Sequence, residues 1–492
     1  MKQNLKAVSK WRLGRAKLLL SLYFAAAWPG GSLVRSAEEP VDENSPRRTE
    51  MVRIIERSMP SVVAIRSFTP HQNPGVFYIH NGSGSVLHES GYILTNEHVV
   101  MNAVRGEVFL NDTRVVPYRI VARFRHEDMA LLKIDVPEKL KPLELGRSHD
   151  LMLGEPVLII GSPGGLVKSV STGIVSGLNR AATTEHTFLP WMIQTSAASS
   201  GGNSGGPLIN AIGKQIGMVT SEKKELEAVN FAIAIDRVRE ILPQMLAGEQ
   251  RFGFWHGIQI DSLADSAKIT SVAPKSPAAK ADLRPGDIIR AMDQLDVRQG
   301  LDFHLALVEK KAGQAVALRI ERGDKPLSVE LNLTELPLAE PASDSGVKNG
   351  LRFAAYEGQW VSVPDVSALK PTKQGTTNRP DVGAHKPRDD FFALRYSGFI
   401  KIPMEGLYTF FTSSDDGSKL FIGDRLVVNN DGLHATLESA GVIRLKAGLH
   451  PITLIMFEAS GGESLTVSIE GPKLKKQEIA PQSYFIRPQD SS

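Results

Sequence analysis

A glycine-rich segment around Ser204 carries the residue types in this sequence that are best suited to chemistry. The segment is Gly202–Pro207, with the sequence GNSGGP. A glycine two residues before the serine permits a tight turn that a side chain would hinder. In such a turn the backbone N–H groups of Gly202 and Ser204 could both point at a substrate carbonyl, where each donor stabilises the transition state by about 3–4 kcal/mol. The same residue types are common in ordinary turns, so the segment alone leaves that interpretation open.

Two further segments supply the partners that a serine nucleophile needs. His98 follows the strand-like run GYILT, and Asp128 directly precedes the apolar run MALLKI. Either residue alone is more typical of a structural histidine or a turn. Together with Ser204 they predict acyl transfer, in which His98 moves the proton and Asp128 orients the imidazole.

The order His98, Asp128, Ser204 is that of chymotrypsin-like proteases, and the surrounding segments resemble the HtrA/Deg family of trypsin-like serine proteases. The matching segments cover about residues 50–245 in the family's order. They are Gly82–Ser85, Thr95–Val100, Asp128–Lys133, Ile160–Gly165, Ser171–Ser176, Ile193–Thr195, Gly202–Pro207 and Asn230–Ile233. The resemblance implies a serine endopeptidase with the triad named above, an oxyanion hole formed by Gly202 and Ser204, and no cofactor for catalysis.

The resemblance also assigns Ala198 and Ser199 to the primary specificity pocket. Neither residue is acidic, so we expect small or medium aliphatic side chains there rather than lysine or arginine. The family usually has aspartate at the position of Ser196 and an aliphatic residue at the position of Ser199. These two differences from the family leave the triad intact but change the expected shape of the pocket.

The elements that must position these residues are mainly β-strands. Short apolar runs separated by Gly and Asn continue from Ser61 to Ile233, which predicts a chymotrypsin-like double β-barrel within a protease domain at 50–248. A helix is predicted over 236–247, although Pro243 weakens that prediction. Its buried face is expected to hold Val238, Ile241, Leu242 and Met245.

A second unit is expected at 252–336, where Ile269–Ile289 resembles a PDZ domain of the α+β class. The resemblance places the carboxylate-binding loop at Trp255, His256, Gly257 and Ile258, beside a strand to which a C-terminal peptide would add. Asp282 stands where such domains usually have glycine, and aspartate tolerates left-handed geometry better than most residues. An alternative is that this unit serves only for docking or assembly.

The predicted linker 337–348 leads to a third unit at 349–487, for which we expect a β-barrel or sandwich. Ser413–Gly423 resembles the module named for anthrax protective antigen and found in yeast flocculins. This resemblance implies binding of a polysaccharide or glycoprotein, with calcium held by Asp415 and Asp416. Calcium needs several more oxygen ligands, for which Asn430 and Asp431 are candidates by residue type. The alternative is an Asp-Asp-Gly turn without metal.

The first 36 residues predict a signal peptide, since basic residues precede a short apolar run. Residues 37–49 are expected to be a linker, and an uncleaved membrane anchor is the alternative for 1–36. The 492 residues include no cysteine, which excludes cysteine catalysis and Cys-ligated metals, and the net charge of +3 argues against nucleic-acid binding. We expect an exported protein of the periplasm or cell envelope, or a secreted one.

Taken with the resemblance, these features predict an HtrA-type endopeptidase that degrades unfolded or damaged proteins. The family resemblance also implies a homo-oligomer, a trimer. Two other classes stay open: a non-catalytic chaperone or scaffold, and a carbohydrate-binding surface protein whose protease domain is secondary. The complete triad and Gly202 favour the enzyme.

Overall fold

The computed structural model describes residues 44–73, 75–162, 169–183, 188–222 and 229–487. The predicted signal peptide, residues 1–36, and most of the following linker lie outside the described residues. From Glu50 onward the chain forms one compact unit, which contains two barrels, a mixed α+β region and a sandwich.

The first barrel is closed and antiparallel, with the strand order β1-β2-β3-β6-β5-β4. Alternating apolar residues of β1, among them Val63 and Ile65, point into its core because successive side chains of a strand face opposite sides. A helix precedes the barrel and a single helical turn follows its third strand. These elements are α1 (Glu50–Ser58), β1 (Val62–Pro70), β2 (Phe77–His88), β3 (Tyr92–Thr95), α2 (Glu97–Val100), β4 (Arg105–Phe109), β5 (Val115–Phe124) and β6 (Met129–Ile134).

The second barrel is also closed, with the order β10-β11-β12-β9-β8-β7. The expected double barrel is therefore present. The predicted helix is observed over Ile235–Met245, and the four residues predicted for its inner face are all buried despite Pro243. The elements are β7 (Pro156–Gly161), β8 (Ser169–Thr183), β9 (Phe188–Thr195), β10 (Pro207–Asn210), β11 (Gln215–Glu222), β12 (Asn230–Ala234) and α3 (Ile235–Met245).

The third region has a four-stranded sheet, order β17-β16-β18-β19, and two short strand pairs, β13 with β20 and β14 with β15. Asp282 adopts a left-handed backbone with φ +55°, the geometry expected where glycine is usual. The elements are α4 (Gly248–Phe252), β13 (Phe254–Trp255), β14 (Ile258–Gln259), β15 (Ser271–Val272), α5 (Pro277–Lys280), β16 (Ile288–Met292), β17 (Leu295–Asp296), α6 (Gly300–Leu307), β18 (Ala315–Arg322), β19 (Lys325–Asn332) and β20 (Thr334–Glu335).

The C-terminal region is a sandwich of an eight-stranded sheet and a four-stranded sheet with the order β28-β25-β30-β31. Its core lies between the two sheets and includes Tyr396, Tyr408 and Phe410. The elements are β21 (Lys348–Asn349), β22 (Leu351–Glu357), β23 (Lys373–Thr377), α7 (Val382–His385), β24 (Phe392–Ile402), β25 (Gly406–Asp415), β26 (Ser418–Ile422), β27 (Arg425–Asn430), β28 (Leu437–Leu445), β29 (Gly448–Glu458), β30 (Ser464–Gly471), β31 (Leu474–Glu478) and β32 (Tyr484–Ile486).

The regions are packed against one another. Leu301, Leu305 and Val308, from α6 and its end, belong to the same apolar cluster as residues of both barrels. The Tyr92 hydroxyl donates to the Leu305 carbonyl at 3.2 Å. The helix α6 is thus anchored on the barrels by apolar and polar contacts.

Candidate active site

Ser204 lies in the loop between β9 and β10, in a turn that requires glycine. Gly202 and Gly205 have φ values of +105° and +83°, which other residues rarely adopt. A Cβ on Gly205 would also lie only 2.2 Å from the Ser83 carbonyl oxygen. The turn therefore presents Ser204, which is half-buried, at a fixed position.

Ser83, on β2 of the first barrel, holds this turn in place. Its hydroxyl donates to the Gly202 carbonyl at 2.7 Å, and its amide donates to the Ser204 carbonyl at 2.8 Å. The same hydroxyl accepts a hydrogen bond from the Ser162 amide at 2.9 Å. Among the described residues, no protein acceptor is hydrogen-bonded by the amides of Gly202 or Ser204, so both donors are free to receive an oxyanion.

His98 and Asp128 meet at the edge of the first barrel. His98 Nδ1 lies 2.9 Å from each carboxylate oxygen of Asp128, and the His98 amide donates to Oδ1 at 3.0 Å. Asp128 is 3% exposed, and Asn96 Nδ2 donates to its backbone carbonyl at 2.9 Å. A buried carboxylate beside Nδ1 fixes the proton there, which leaves Nε2 as the base.

Thr220, on β11 of the second barrel, connects the two halves of the site. Its hydroxyl donates a hydrogen bond to Asp128 Oδ2, and its backbone carbonyl accepts a hydrogen bond from Ser204 Oγ at 3.2 Å. Sequence reasoning missed this residue. It stands 92 positions from Asp128 in an ordinary strand pattern, and only the pairing of the barrels brings it to the carboxylate.

The two residues predicted for the specificity pocket lie on the segment before the Ser204 turn. Ala198 is exposed and Ser199 is half-buried. The Ala198 carbonyl accepts a hydrogen bond from Ser171 Oγ at 2.6 Å, and Ser196 Oγ accepts one from the Ile174 amide at 3.0 Å. These contacts fasten the segment to β8, and the expected preference for aliphatic side chains stays a prediction.

Comparisons with known proteins agree with this geometry. Residues 82–218 match the model of a trypsin-like peptidase domain. Protease Do-like 1, chloroplastic, of Arabidopsis thaliana is 34% identical over 319 residues, which cover 58% of this chain and 72% of the relative. Serine endoprotease DegS of Haemophilus influenzae is 31% identical over 265 residues, which cover 52% of this chain and 78% of the relative.

This chain belongs to the HtrA/Deg family of serine endoproteases. A probable periplasmic serine endoprotease, DegP-like, of Halomonas elongata is 33% identical over 320 residues, covering 57% of this HtrA-type chain and 67% of the relative. A solved structure of the HtrA-type protease AlgW with a decapeptide is 26% identical and covers 58% of this chain and 99% of its own, with a TM-score of 0.36.

Two further family models match later parts of this HtrA-type protease. Residues 256–333 match a PDZ domain, and residues 348–483 match a PA14 domain. The fold predicted from sequence is confirmed: a trypsin-like double barrel, a PDZ domain and a C-terminal β-sandwich. Within the described residues, no helix has the length and hydropathy needed to span a membrane.

The predicted carboxylate-binding loop of the PDZ domain lies between β13 and β14. Trp255 ends β13, His256 is 5% exposed, and Ile258 begins β14. Gly257 has φ +76°, and a Cβ there would lie 2.2 Å from Ser276 Cβ. The loop therefore depends on glycine at this position.

An acidic cluster lies at one end of the PA14 sandwich. Carboxylate oxygens of Asp415, Asp416 and Glu458 lie within 4.8 Å of one another. Glu458 is fully buried, and its Oε1 has no hydrogen-bond partner in the described part of the chain. Burial, together with the neighbouring charges of Asp416 and Asp415, raises the pKa of Glu458 to about 7.

Glu458 was not predicted, and the other two residues suggested as oxygen donors, Asn430 and Asp431, have partners of their own. Asn430 Oδ1 accepts a hydrogen bond from Ser439 Oγ at 2.8 Å, and Asp431 pairs with Lys419 at 2.6 Å. A contribution of either residue to a cation site stays a prediction.

Proposed function

We propose that this HtrA-type endoprotease cleaves exposed segments of unfolded or damaged proteins, with Ser204 as nucleophile, His98 as general base and acid, and Asp128 as the orienting carboxylate. The observation that carries the proposal is the two-point contact of His98 Nδ1 with Asp128, linked through Thr220 to a serine in a glycine turn. A scaffold without catalysis would not need a buried carboxylate bonded in this way.

The reaction follows from the two barrels. The hydroxyl of Ser204 first leaves the Thr220 carbonyl and donates its hydrogen bond to His98 Nε2 instead. His98 Nε2 then takes the hydroxyl proton while Oγ attacks the scissile carbonyl carbon. The carbonyl oxygen becomes an oxyanion, and the free amides of Gly202 and Ser204 stabilise it by about 3–4 kcal/mol per donor. His98 then gives the proton to the leaving amine, and water releases the acyl group by the same sequence of steps. Asp128 stabilises the imidazolium throughout.

An active-site probe tests these assignments directly. We expect the wild-type protein to form a covalent adduct with a peptidyl phosphonate at Ser204 and to cleave unfolded casein. His98→Ala should lose both activities, whereas His149→Ala, at an exposed histidine 2.8 Å from Asp236, should keep them. Labelling of Ser204 that does not depend on His98 would contradict the proposed role of the histidine.

The PDZ domain is proposed to bind hydrophobic C-terminal peptides. Gly257 and the β14 edge have the geometry of a carboxylate-binding loop followed by a strand that a peptide can extend. Calorimetry on the full chain tests this: a free-acid peptide should bind more tightly than the same peptide with an amidated C-terminus. Equal affinities would contradict the proposal that the loop binds the terminal carboxylate.

A second proposed function is calcium-dependent glycan binding by the PA14 domain. The unpartnered Oε1 of Glu458, beside Asp415 and Asp416, fits a hard cation because three carboxylates are otherwise brought together at a cost. These three residues would hold the ion, and a bound calcium could complete its coordination with sugar hydroxyls.

Calcium titration of the Ser204→Ala protein tests the cation. Binding should be lost in Asp416→Asn and Glu458→Gln and kept in Asp424→Asn, a matched control at an exposed acid of the same domain. Retention on cell-envelope polysaccharide should follow the same pattern. Retention that is indifferent to both chelation and these substitutions would contradict the calcium site.

Export is part of the proposed function, with residues 1–36 as a signal peptide and the domain boundaries 50–248, 252–336 and 349–487 in the mature chain. Two of the relatives are named as a chloroplastic and a probable periplasmic protease. A mature N-terminus near residue 37 and a trimer by light scattering are the expected results. A full-length chain retained in the membrane would support the anchor instead.

A further inference from the structure

The carboxylate-binding loop of the PDZ domain already holds a carboxylate of its own chain. The amides of His256 and Gly257 both donate to Glu249 Oε1, at 2.8 and 3.4 Å. The third loop amide, that of Ile258, donates to Nδ1 of the His256 ring at 2.9 Å. All three loop amides therefore have acceptors within the chain.

The position of Glu249 follows from the local backbone. It lies in the first turn of α4, seven residues before His256. The helix ends at Phe252, and the left-handed φ of +68° at Gly253 reverses the chain into β13 and brings Glu249 beside the loop. The Glu249 side chain is 28% exposed.

The imidazole of His256 lies beside this contact. Because its Nδ1 accepts from Ile258, the ring proton is on Nε2, which lies 3.2 Å from Glu249 Oε1. Burial lowers the pKa of His256 to about 3, so the ring is neutral at ordinary pH. The Glu249 oxygen thus accepts two backbone N–H groups and lies near the N–H of a neutral ring, surroundings suited to a carboxylate.

The strand edge that a peptide would join is also satisfied internally. The Gln259 carbonyl accepts from Thr270 on the β15 side, so the polar groups of Ile258 and Ile260 face the opposite edge. There the Ile260 carbonyl accepts a hydrogen bond from Nε2 of His304, on α6, at 2.9 Å. A peptide must replace these internal partners to extend the sheet.

The PA14 domain packs against the turn that positions Glu249. A Cβ on Gly253 would lie 3.5 Å from Nη1 of Arg444, and Arg444 pairs with Glu335 on β20 at 2.5 Å. The backbone carbonyl of Arg444 accepts a hydrogen bond from the amide of Ala339, in the linker, at 2.9 Å. The turn between α4 and β13 is therefore held between the two domains.

We propose that Glu249 is an internal competitor for the carboxylate site and sets which peptides the PDZ domain accepts. The inference rests on the proposed peptide binding and adds the residue that limits it. A peptide binds only when its terminal carboxylate and flanking side chains together outcompete Glu249. If the loop is free in about one molecule in ten, the apparent Kd rises about tenfold.

The test uses the full chain with Ser204→Ala, so that peptides are not cleaved. Calorimetry compares a hydrophobic decapeptide with a free or an amidated C-terminus. Glu249→Ala should tighten free-acid binding about tenfold and leave the amide unchanged. Glu330→Ala, at an exposed acid on β19, should change neither.

Amide hydrogen exchange measures the loop itself, without peptide. The segment 255–259 should exchange faster in Glu249→Ala than in the parent, with the rest of the PDZ domain unchanged as evidence of folding. Free-acid binding that is measurable in the parent and no tighter in Glu249→Ala would overturn the competitor role while keeping the proposed peptide binding. Absence of binding in every variant would overturn both.

Discussion

The active site and the PDZ loop both use backbone N–H groups to receive a negatively charged oxygen, but only one of them is empty. The amides of Gly202 and Ser204 contact no protein acceptor within the described residues, whereas those of His256, Gly257 and Ile258 are all engaged. Donors that stabilise a short-lived oxyanion act best when fixed and empty beforehand. Donors that select a stable ligand can hold an internal one, which sets the affinity a ligand must exceed.

The difference arises from the surroundings and not from the turns themselves. Both turns depend on a glycine with positive φ, at positions 202 and 257. At the active site, Ser83 binds the carbonyl side of the turn and leaves the amide side open. At the PDZ loop, the short helix α4 directs a carboxylate to the amide side.

The largest expected effect is a loss of proteolysis with no change in peptide binding. Ser204→Ala should reduce kcat/KM for casein by at least about 10⁴-fold, since the nucleophile is lost while the oxyanion donors remain. The affinity of the PDZ domain for a free-acid peptide should not change. Cleavage at the wild-type rate would contradict the comparison. It would show that Ser204 is not the nucleophile and that the amides of Gly202 and Ser204 do not serve catalysis.

A smaller effect is expected at Thr220. Thr220→Val keeps the shape and the backbone carbonyl that contacts Ser204, but removes the hydroxyl that donates to buried Asp128. A hydrogen bond to a charged group is worth about 1.5–3 kcal/mol, so kcat/KM should fall about tenfold to a hundredfold. Thr220→Ser is the matched control and should retain most activity. Wild-type kinetics in the valine variant would show that Asp128 needs no support from the second barrel.

The smallest expected effect concerns a contact between α6 of the PDZ domain and the first barrel of the protease domain. His88 Nε2 lies 3.0 Å from Asp302 Oδ1 on α6. Burial alone would raise the pKa of Asp302, but hydrogen bonds from His88 and the Arg298 amide outweigh it and lower the pKa from 3.8 to about 2. The resulting stability is complete above about pH 4 and is lost as the pH falls through 2.

Thermal unfolding of Asp302→Asn measures this contribution. Its midpoint should lie below that of the wild type by roughly a few degrees above pH 4, and the difference should shrink toward pH 2. Asp324→Asn, at an exposed acid in the turn between β18 and β19, serves as the control. A difference that is constant from pH 5 to pH 2 would show that the charge of Asp302 does not stabilise this interface.

The sequence predicted the parts of the site that are encoded locally. The turn around Ser204 needs glycine at fixed positions, and the strands before His98 and after Asp128 have clear apolar patterns, so these residues could be named in advance. Thr220 could not, because its role comes from the pairing of β11 with the rest of the second barrel and the approach of the first.

The same limit explains why neither Glu458 nor the contact of Glu249 was predicted. Asp415 and Asp416 form a visible motif, but Glu458 joins them from the end of β29, 42 residues beyond Asp416. Asn430 and Asp431 are suitable by residue type, and the structure adds that their side-chain oxygens contact Ser439 and Lys419. Glu249 precedes the loop by only seven residues, yet its contact depends on the reversal at Gly253, which no motif marks.

The contacts of Ser83 determine when a newly made chain can become active. Ser83 lies on the first barrel and binds both carbonyls that shape the turn on the second, while the base and its carboxylate are on the first. Neither half of the protease domain contains a working set of groups on its own. A chain that is still being synthesised, or that has folded only in part, therefore cannot digest its neighbours, and hydrolytic power appears only when the two halves have met correctly.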